Sequence, residues 1–323
     1  MLLSLVAIIA GLALLVWSAD RFVEGAAATA QNLGISTLVI GITIIGFGTS
    51  APEILISVFS VIDNTPNLAI GNALGSNIAN IGLILGVTAL FIPLHIASRI
   101  LLREFPILIL ASLLLTWALY DTQLDFFDGL LLMGLLIAGL AYLVHYSRQD
   151  KDDALSSELE QEIPHDMPTG LALTWVVVGL LVLMGSSKLL VWGAVNIAVM
   201  LGISELIIGL TIVALGTSLP ELAAAIAGAR KGEPDMVLGN VVGSNLFNSL
   251  AVIGLPALLT DFSISPIAVS RDLSVTLGLT ALLYLVSFFP FSSCCVLTRI
   301  KGFILLTAFV LYQSLLYYQV TTQ

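Results

Sequence analysis

The chain has 323 residues, 58% of them hydrophobic and only 10% charged, with a mean hydropathy of +1.07; soluble domains carry roughly 25% charged residues. These figures exclude an ordinary soluble enzyme or nucleic-acid-binding module and point to an all-α integral membrane protein whose environment is the lipid bilayer, because the apolar runs are continuous and not alternating as in a β-barrel. The net charge of −10 is concentrated: residues 147–168 hold Asp150, Asp152, Asp153, Glu158, Glu160, Glu162 and Asp166 against only Arg148 and Lys151, the composition of a solvated acidic linker.

Apolar runs and their polar breaks predict ten spans, near 2–26, 37–61, 70–92, 100–119, 126–146, 169–196, 205–229, 237–260, 271–290 and 301–320. The first run lacks the basic region and cleavage site of a removable signal and reads as a retained helix. Cys294 and Cys295, adjacent near the end of the ninth run, read as apolar fillers, since a disulfide between neighbours is strained.

Basic residues set the expected orientation. With the N-terminus outside, the inner connections hold Arg21, Arg99, Arg103, Arg148, Lys151, Arg230, Lys231, Arg299 and Lys301, and the outer side keeps only Lys188 and Arg271. That bias puts both termini outside and the acidic linker in the cytoplasm. Three segments result: 1–146 with spans one to five, the linker 147–168, and 169–323 with spans six to ten.

The halves repeat. Residues 34–86 align without a gap on 202–254 at a constant offset of 168, and roughly 20 of the 53 pairs are identical. GlyPheGlyThrSerAlaProGlu (46–53) matches AlaLeuGlyThrSerLeuProGlu (214–221), and GlyAsnAlaLeuGlySerAsnIleAlaAsn (71–80) matches GlyAsnValValGlySerAsnLeuPheAsn (239–248). Five spans per half means the second copy enters the membrane upside down, the inverted repeat of secondary transporters, whose substrate sites lie near the midplane.

Glu53 and Glu221 sit deep within apolar spans at matched positions. A carboxylate at the bilayer centre costs about 2.5–3.5 kcal/mol on insertion scales, so such residues mark ion or proton paths. One protonated Glu bonding a neighbouring helix is the bland alternative; two inside the same repeated motif argue against it. Pro52 and Pro220 each remove a donor and crowd the carbonyl four residues earlier, at Gly48 and Gly216, so both spans are expected to unwind there and expose carbonyl oxygens. With the hydroxyls of Thr49, Ser50, Thr217 and Ser218 and the two carboxylates, they make an all-oxygen set suited to a hard cation such as Ca²⁺. His95, His145 and His165 lie near span ends or in the linker, too far out to serve a softer metal.

Ser76 and Asn80 are four apart, as are Ser244 and Asn248, and share a helix face. Asn77 and Asn245 fall on a neighbouring face and are expected to bond loosened backbone. Gly71, Gly75, Gly82, Gly86, Gly239, Gly243 and Gly254 permit close helix packing. Asp20 and Glu24, beside Arg21, read as solvated or paired charges at the inner end of the first span. Glu205 and Asp63 fall on the outer edges. Lys188 stands at the repeat position of Asp20 with opposite sign and has no assigned role.

At the two motifs the sequence resembles the calcium/cation antiporter superfamily, which includes the sodium/calcium exchangers, and within it the bacterial inner-membrane YrbG-like calcium/sodium antiporters. The resemblance implies a secondary transporter, not an enzyme, in a plasma or bacterial inner membrane, with Ca²⁺ and a monovalent cation as substrates, no cofactor, and one chain sufficing for the site. It implies metal binding by Glu53 and Glu221, hydroxyl ligands at Thr49, Ser50, Thr217, Ser218, Ser76 and Ser244, backbone carbonyl ligands at Gly46 and Ala214, and amide ligands at Asn80 and Asn248. Several exchangers carry Asp at one or both of the last two positions; two Asn limit this site to a charge of −2. Na⁺ is the first-choice counter-ion; H⁺ and a K⁺-dependent exchange are the alternatives, and a cation channel is a more distant one.

Overall fold

The computed structural model describes residues 1–33, 46–95, 99–147, 167–288 and 296–322. The linker 148–166, the start of the second span and of the first repeat copy (34–45), and Cys294 and Cys295 lie outside the described residues. Among the described residues ten helical stretches follow in order: α1 (Leu2–Asn32), α2 (Gly46–Ile62), α3 (Pro66–Phe91), α4 (Arg99–Ala118), α5 (Phe126–Ser147), α6 (Thr169–Leu201), α7 (205–231), α8 (Pro234–Leu259), α9 (268–288) and α10 (Arg299–Thr322). Seven are long and apolar enough to cross a membrane, eight if the bent α7 counts as one span; α2 and α4 contain shorter apolar helices, Phe47–Ile62 and Glu104–Ala118.

Local chemistry explains the boundaries. Pro66 and Pro234 open α3 and α8, where the missing N–H would have no helical partner anyway. Gly202 and Gly232 close α6 and α7 in the left-handed conformation (φ 65° and 84°), open to glycine without strain. Element bounds repeat at the spacing of the sequence motifs: α3 and α8 start at 66 and 234 and end at 91 and 259. Two short antiparallel strand pairs tie distant connections together. β1 (Leu94–His95) pairs with β4 (Val296–Leu297), and β2 (Gln123–Leu124) with β3 (Phe262–Ser263).

The buried apolar residues form two clusters, to both of which α2, α3 and α7 contribute. Helices α3 and α8, the most deeply buried spans, centre the larger apolar cluster, which α4, α5, α9 and α10 surround. The long pair α1 and α6 builds a second cluster with Ile8, Leu15, Leu183, Leu190 and Ala194 at its heart. That pair is antiparallel and close. A Cβ on Gly25 would come within 2.6 Å of the Ala172 carbonyl, and one on Gly179 within 2.7 Å of the Phe22 nitrogen. Most exposed large apolar side chains, among them Leu3, Ile9, Leu181 and Phe303, lie on spanning helices, as a lipid-facing surface requires.

One interior polar knot also holds the bundle. Asp272, fully buried, is gripped by Arg271 through Nε at 2.5 Å and a second nitrogen at 3.0 Å, and accepts from the Tyr312 hydroxyl at 2.8 Å. Arg271 also donates to Gln319. The knot joins α9 to α10 and satisfies a charge that burial alone would make costly.

Candidate functional site

Both motif helices cross the centre of the fold. Helix α2 carries Thr49, Ser50 and Glu53; α7 carries Thr217, Ser218 and Glu221. Each packs on the second motif helix of the other half: α2 on α8, and α7 on α3. The small residues make this approach possible. A Cβ on Gly75 would meet Ala214 at 2.7 Å, and one on Gly209 would meet the Leu68 carbonyl at 2.6 Å. Of the other glycines expected to permit packing, Gly82 and Gly86 face Phe309 and Leu306 of α10 and Gly254 faces Leu132 of α5, whereas a Cβ on Gly243 would meet nothing within 4 Å, so its place is not set by helix contact.

Polar side chains then meet across the two halves. The Thr49 and Ser244 hydroxyls are 3.4 Å apart. The Thr217 hydroxyl donates to the Ala214 carbonyl at 3.2 Å. The Asn80 amide donates to Asn245 Oδ1 at 3.0 Å. The charges of Glu53 and Glu221 are close enough to act on one another. Both glutamates are buried, 2% and 8% exposed, in a region where an unsatisfied charge is expensive. Gly46 is the first residue of α2.

The site is short of internal partners. Glu53 Oε2, Glu221 Oε2, Asn80 Oδ1, Asn248 Oδ1 and the hydroxyls of Ser50, Ser76 and Ser218 are all buried without a hydrogen-bond partner. Buried polar atoms are rarely left so, and a cluster of them calls for an explanation. Every one is an oxygen, the donor type that hard cations take six to eight at a time. Among the described residues no three His, Cys, Asp or Glu side chains gather as a metal cluster. Neutral hydroxyls and amides outnumber the two carboxylates here, so a site of this composition escapes that pattern.

Two expectations are corrected. The proline-induced unwinding is absent at Pro52: α2 runs as one α-helix from Gly46 to Ile62. The second copy bends by 43° between Leu219 and Ala224 without leaving helix. A proline removes a single donor, and the carbonyl it frees is accommodated by bending. The loosening lies elsewhere, in π-helical turns at Ala79–Leu85 and Gly209–Val213. Asn80 sits in the first of these, and π-bulges concentrate at functional positions. Second, Asn77 and Asn245 do not bond loosened backbone. Asn77 donates to the Ser249 hydroxyl at 3.0 Å, and Asn245 accepts from Asn80. The expectation for the inner end of α1 holds: Asp20 is exposed, and Glu24 pairs with Arg21 at 2.5 Å.

Asn72 was not singled out in sequence. Its amide donates to the Glu53 backbone carbonyl at 3.1 Å and to the Ser57 hydroxyl at 3.3 Å, fixing the helix turn that bears the glutamate. The GlyAsn pair common to both copies was the available signal. The two halves also differ in detail. Rings of Phe22, Phe47 and Phe247 stack edge-on at 6.4 and 6.1 Å, linking α1, α2 and α8 next to the site. Leu190, Leu215 and Ala79 occupy the matching repeat positions, so this ring cluster has no aromatic counterpart.

A family model for sodium/calcium exchanger proteins matches residues 3–145 and 171–318. The CaxA protein of Alkalimonas amylolytica is 46% identical over 98% of this chain and 99% of its own length. The inner membrane protein YrbG of Escherichia coli is 42% identical over 86% of each chain. Among solved structures, the sodium-calcium exchanger NCX_Mj soaked with 100 mM Na⁺ and 10 mM Sr²⁺ superposes with a TM-score of 0.66 at 31% identity, covering 97% of this chain and 98% of that one.

Proposed function

The chain belongs to the sodium/calcium exchanger protein family, and from that premise we propose that it is a secondary antiporter exchanging Ca²⁺ for Na⁺ across a plasma or bacterial inner membrane by alternating access, contributing to calcium homeostasis. One observation carries the reading. Two buried glutamates from different halves act on each other, and each keeps a carboxylate oxygen unpartnered amid unpartnered hydroxyl and amide oxygens. The proposed ligands are Glu53, Glu221, Thr49, Thr217, Ser50, Ser218, Ser76, Ser244, Asn80 and Asn248, with the carbonyls of Gly46 and Ala214.

The proposed architecture is ten spans in two inverted five-helix halves, 1–146 and 169–323, with both termini outside and the linker 147–168 in the cytoplasm. The antiparallel α1 and α6 and the matched bounds of α3 and α8 support the inversion. Helices α1 and α6 pack chiefly on each other, in an apolar cluster that also takes in Ala51, Ile56, Leu68, Ile208 and Val213 of the motif helices, and meet those helices again through Leu12 on Gly216 and Val23 on Gly48. A pair bound more tightly to itself than to the core is suited to slide as a unit.

Charge supplies the coupling. Two bare carboxylates at the midplane cost about 5–7 kcal/mol together on insertion scales. Spent on the barrier, that slows the crossing of an empty site by a factor on the order of 10⁴. One Ca²⁺ or two Na⁺ removes the penalty, so the protein crosses loaded and the ions exchange. Protonation of both glutamates would do the same, which keeps H⁺ as the second reading.

The test is ⁴⁵Ca²⁺ uptake into proteoliposomes against imposed Na⁺, K⁺ and H⁺ gradients in turn. An outward Na⁺ gradient is expected to drive Ca²⁺ uphill, which a channel would not do. Glu53→Gln and Glu221→Gln are each expected to abolish uptake while leaving the protein extractable and folded. Full activity in either variant overturns the assignment.

A further inference from the structure

We propose that the cavity between the end of α6 and the starts of α7 and α9 binds the headgroup of a zwitterionic membrane lipid, with the phosphate on Arg271 and a primary ammonium on Glu205. The site is separate from the glutamate pair, and the inference holds whatever ion is carried.

The cavity measures about 550 Å³, within the range of small-molecule sites. Its lining includes Val199 near the end of α6, Glu205 at the start of α7, Asn67 at the start of α3, Ile267 and Arg271 where α9 begins, and Gln319 near the end of α10. Five helices therefore meet at it. Asn67 accepts a hydrogen bond from the Ser265 nitrogen at 2.7 Å, which fixes the approach to α9 beside the start of α3.

Glu205 and Arg271 are the charged residues of the lining. They share one space without pairing with each other. Arg271 is held rigidly: Nε and one terminal nitrogen grip Asp272, and the other terminal nitrogen donates to Gln319. A guanidinium has five N–H donors, so about two remain unspent. Asp272 is fully buried and does not line the cavity. A fixed guanidinium with free donors is suited to a phosphate oxygen. Glu205 is half-buried and, among the described residues, has no basic partner. An anion alone would sit beside Glu205, and a cation alone beside Arg271. A molecule carrying both charges satisfies the two at once.

The position selects a lipid as the source. Val199, Met200 and Leu201 are exposed at the end of α6, and Tyr317 and Tyr318 are exposed next to Gln319. Exposed apolar residues at a helix end, beside exposed tyrosines, mark the level at which headgroups lie. A choline headgroup donates no hydrogen bond to Glu205, and a glycerol headgroup brings no positive charge. An ethanolamine headgroup supplies both.

The test adds phosphatidylethanolamine, phosphatidylcholine or phosphatidylglycerol, with identical acyl chains, to the purified full chain in detergent. Retained lipid is read by native mass spectrometry, alongside melting temperature. The wild-type protein is expected to retain phosphatidylethanolamine at about a tenth of the concentration that either other lipid needs, and to melt higher with it. Glu205→Gln should reduce phosphatidylethanolamine to the level of phosphatidylcholine while melting like wild type without lipid. Arg271→Gln alone would strand Asp272, so it is combined with Asp272→Asn, and that protein should retain all three lipids more weakly. Val199→Trp, at an exposed part of the lining, should also lower retention of phosphatidylethanolamine. Equal retention of the three lipids by wild type, a preference that survives Glu205→Gln, or undiminished retention in Val199→Trp would overturn the inference. Free O-phosphoethanolamine raising the melting temperature of a protein that retains no phosphatidylethanolamine would also overturn it, by giving the cavity to a soluble ligand. No arm reads ion flux, so the exchange reading stands or falls on its own test.

Discussion

At the residue scale, the site is defined by how little negative charge it holds. Glu53 and Glu221 are its two acids; Asn80 and Asn248 stand where a further carboxylate would fit, and the remaining groups are neutral oxygens. One Ca²⁺ or two Na⁺ neutralises the loaded site, so exchange is expected to be electroneutral. Uptake should then be unchanged by a K⁺/valinomycin potential of either sign. Asn248→Asp raises the charge to −3. It should make uptake potential-sensitive and move the Na⁺ Hill coefficient from near two towards three. The glutamates and hydroxyls were legible in the sequence because the motif occurs twice. Asn72 was not, because its role depends on reaching the Glu53 carbonyl from another helix.

At the element scale, glycine sets which helices approach closely. Gly179 and Gly25 let α1 and α6 touch backbone to backbone, whereas a Cβ on Gly185 would meet nothing within 4 Å. Gly179→Leu forces the pair apart, and overpacking of this kind costs about 1–3 kcal/mol. A melting temperature several degrees lower is expected in detergent, with Gly185→Ala close to wild type as control. Helix positions among the described residues followed from hydropathy, although only seven or eight of those helices are long and apolar enough to cross a membrane. The π-helical turns at 79–85 and 209–213 did not, since a widened turn answers to the packing of neighbouring helices and leaves no compositional trace. The same reason explains why α2 stays helical through Pro52: neighbours on both sides hold a helix that the isolated sequence would let open.

At the scale of the whole molecule, the proposed cycle requires α1 and α6 to move together past α2, α3, α7 and α8. Paired cysteines test it in a background lacking Cys294 and Cys295. Between α1 and the core, a Cβ on Gly48 would lie 3.3 Å from the Val23 Cβ; within the moving pair, one on Gly11 would lie 3.3 Å from the Leu190 Cβ. Both are near disulfide range, where Cβ atoms sit about 3.5–4.5 Å apart. Oxidation of the Val23→Cys, Gly48→Cys protein should arrest uptake, with reductant restoring it. The Gly11→Cys, Leu190→Cys protein should transport whether oxidised or reduced. The sequence by itself determined the membrane class, the duplicated motifs and the paired acids, because hydropathy and repetition are properties of order along the chain. Only the tertiary structure decided that Thr49 meets Ser244 and that Asn80 meets Asn245. Each of those pairings joins residues more than 160 positions apart, and distance in space between such residues is set by how helices pack, which no local pattern encodes.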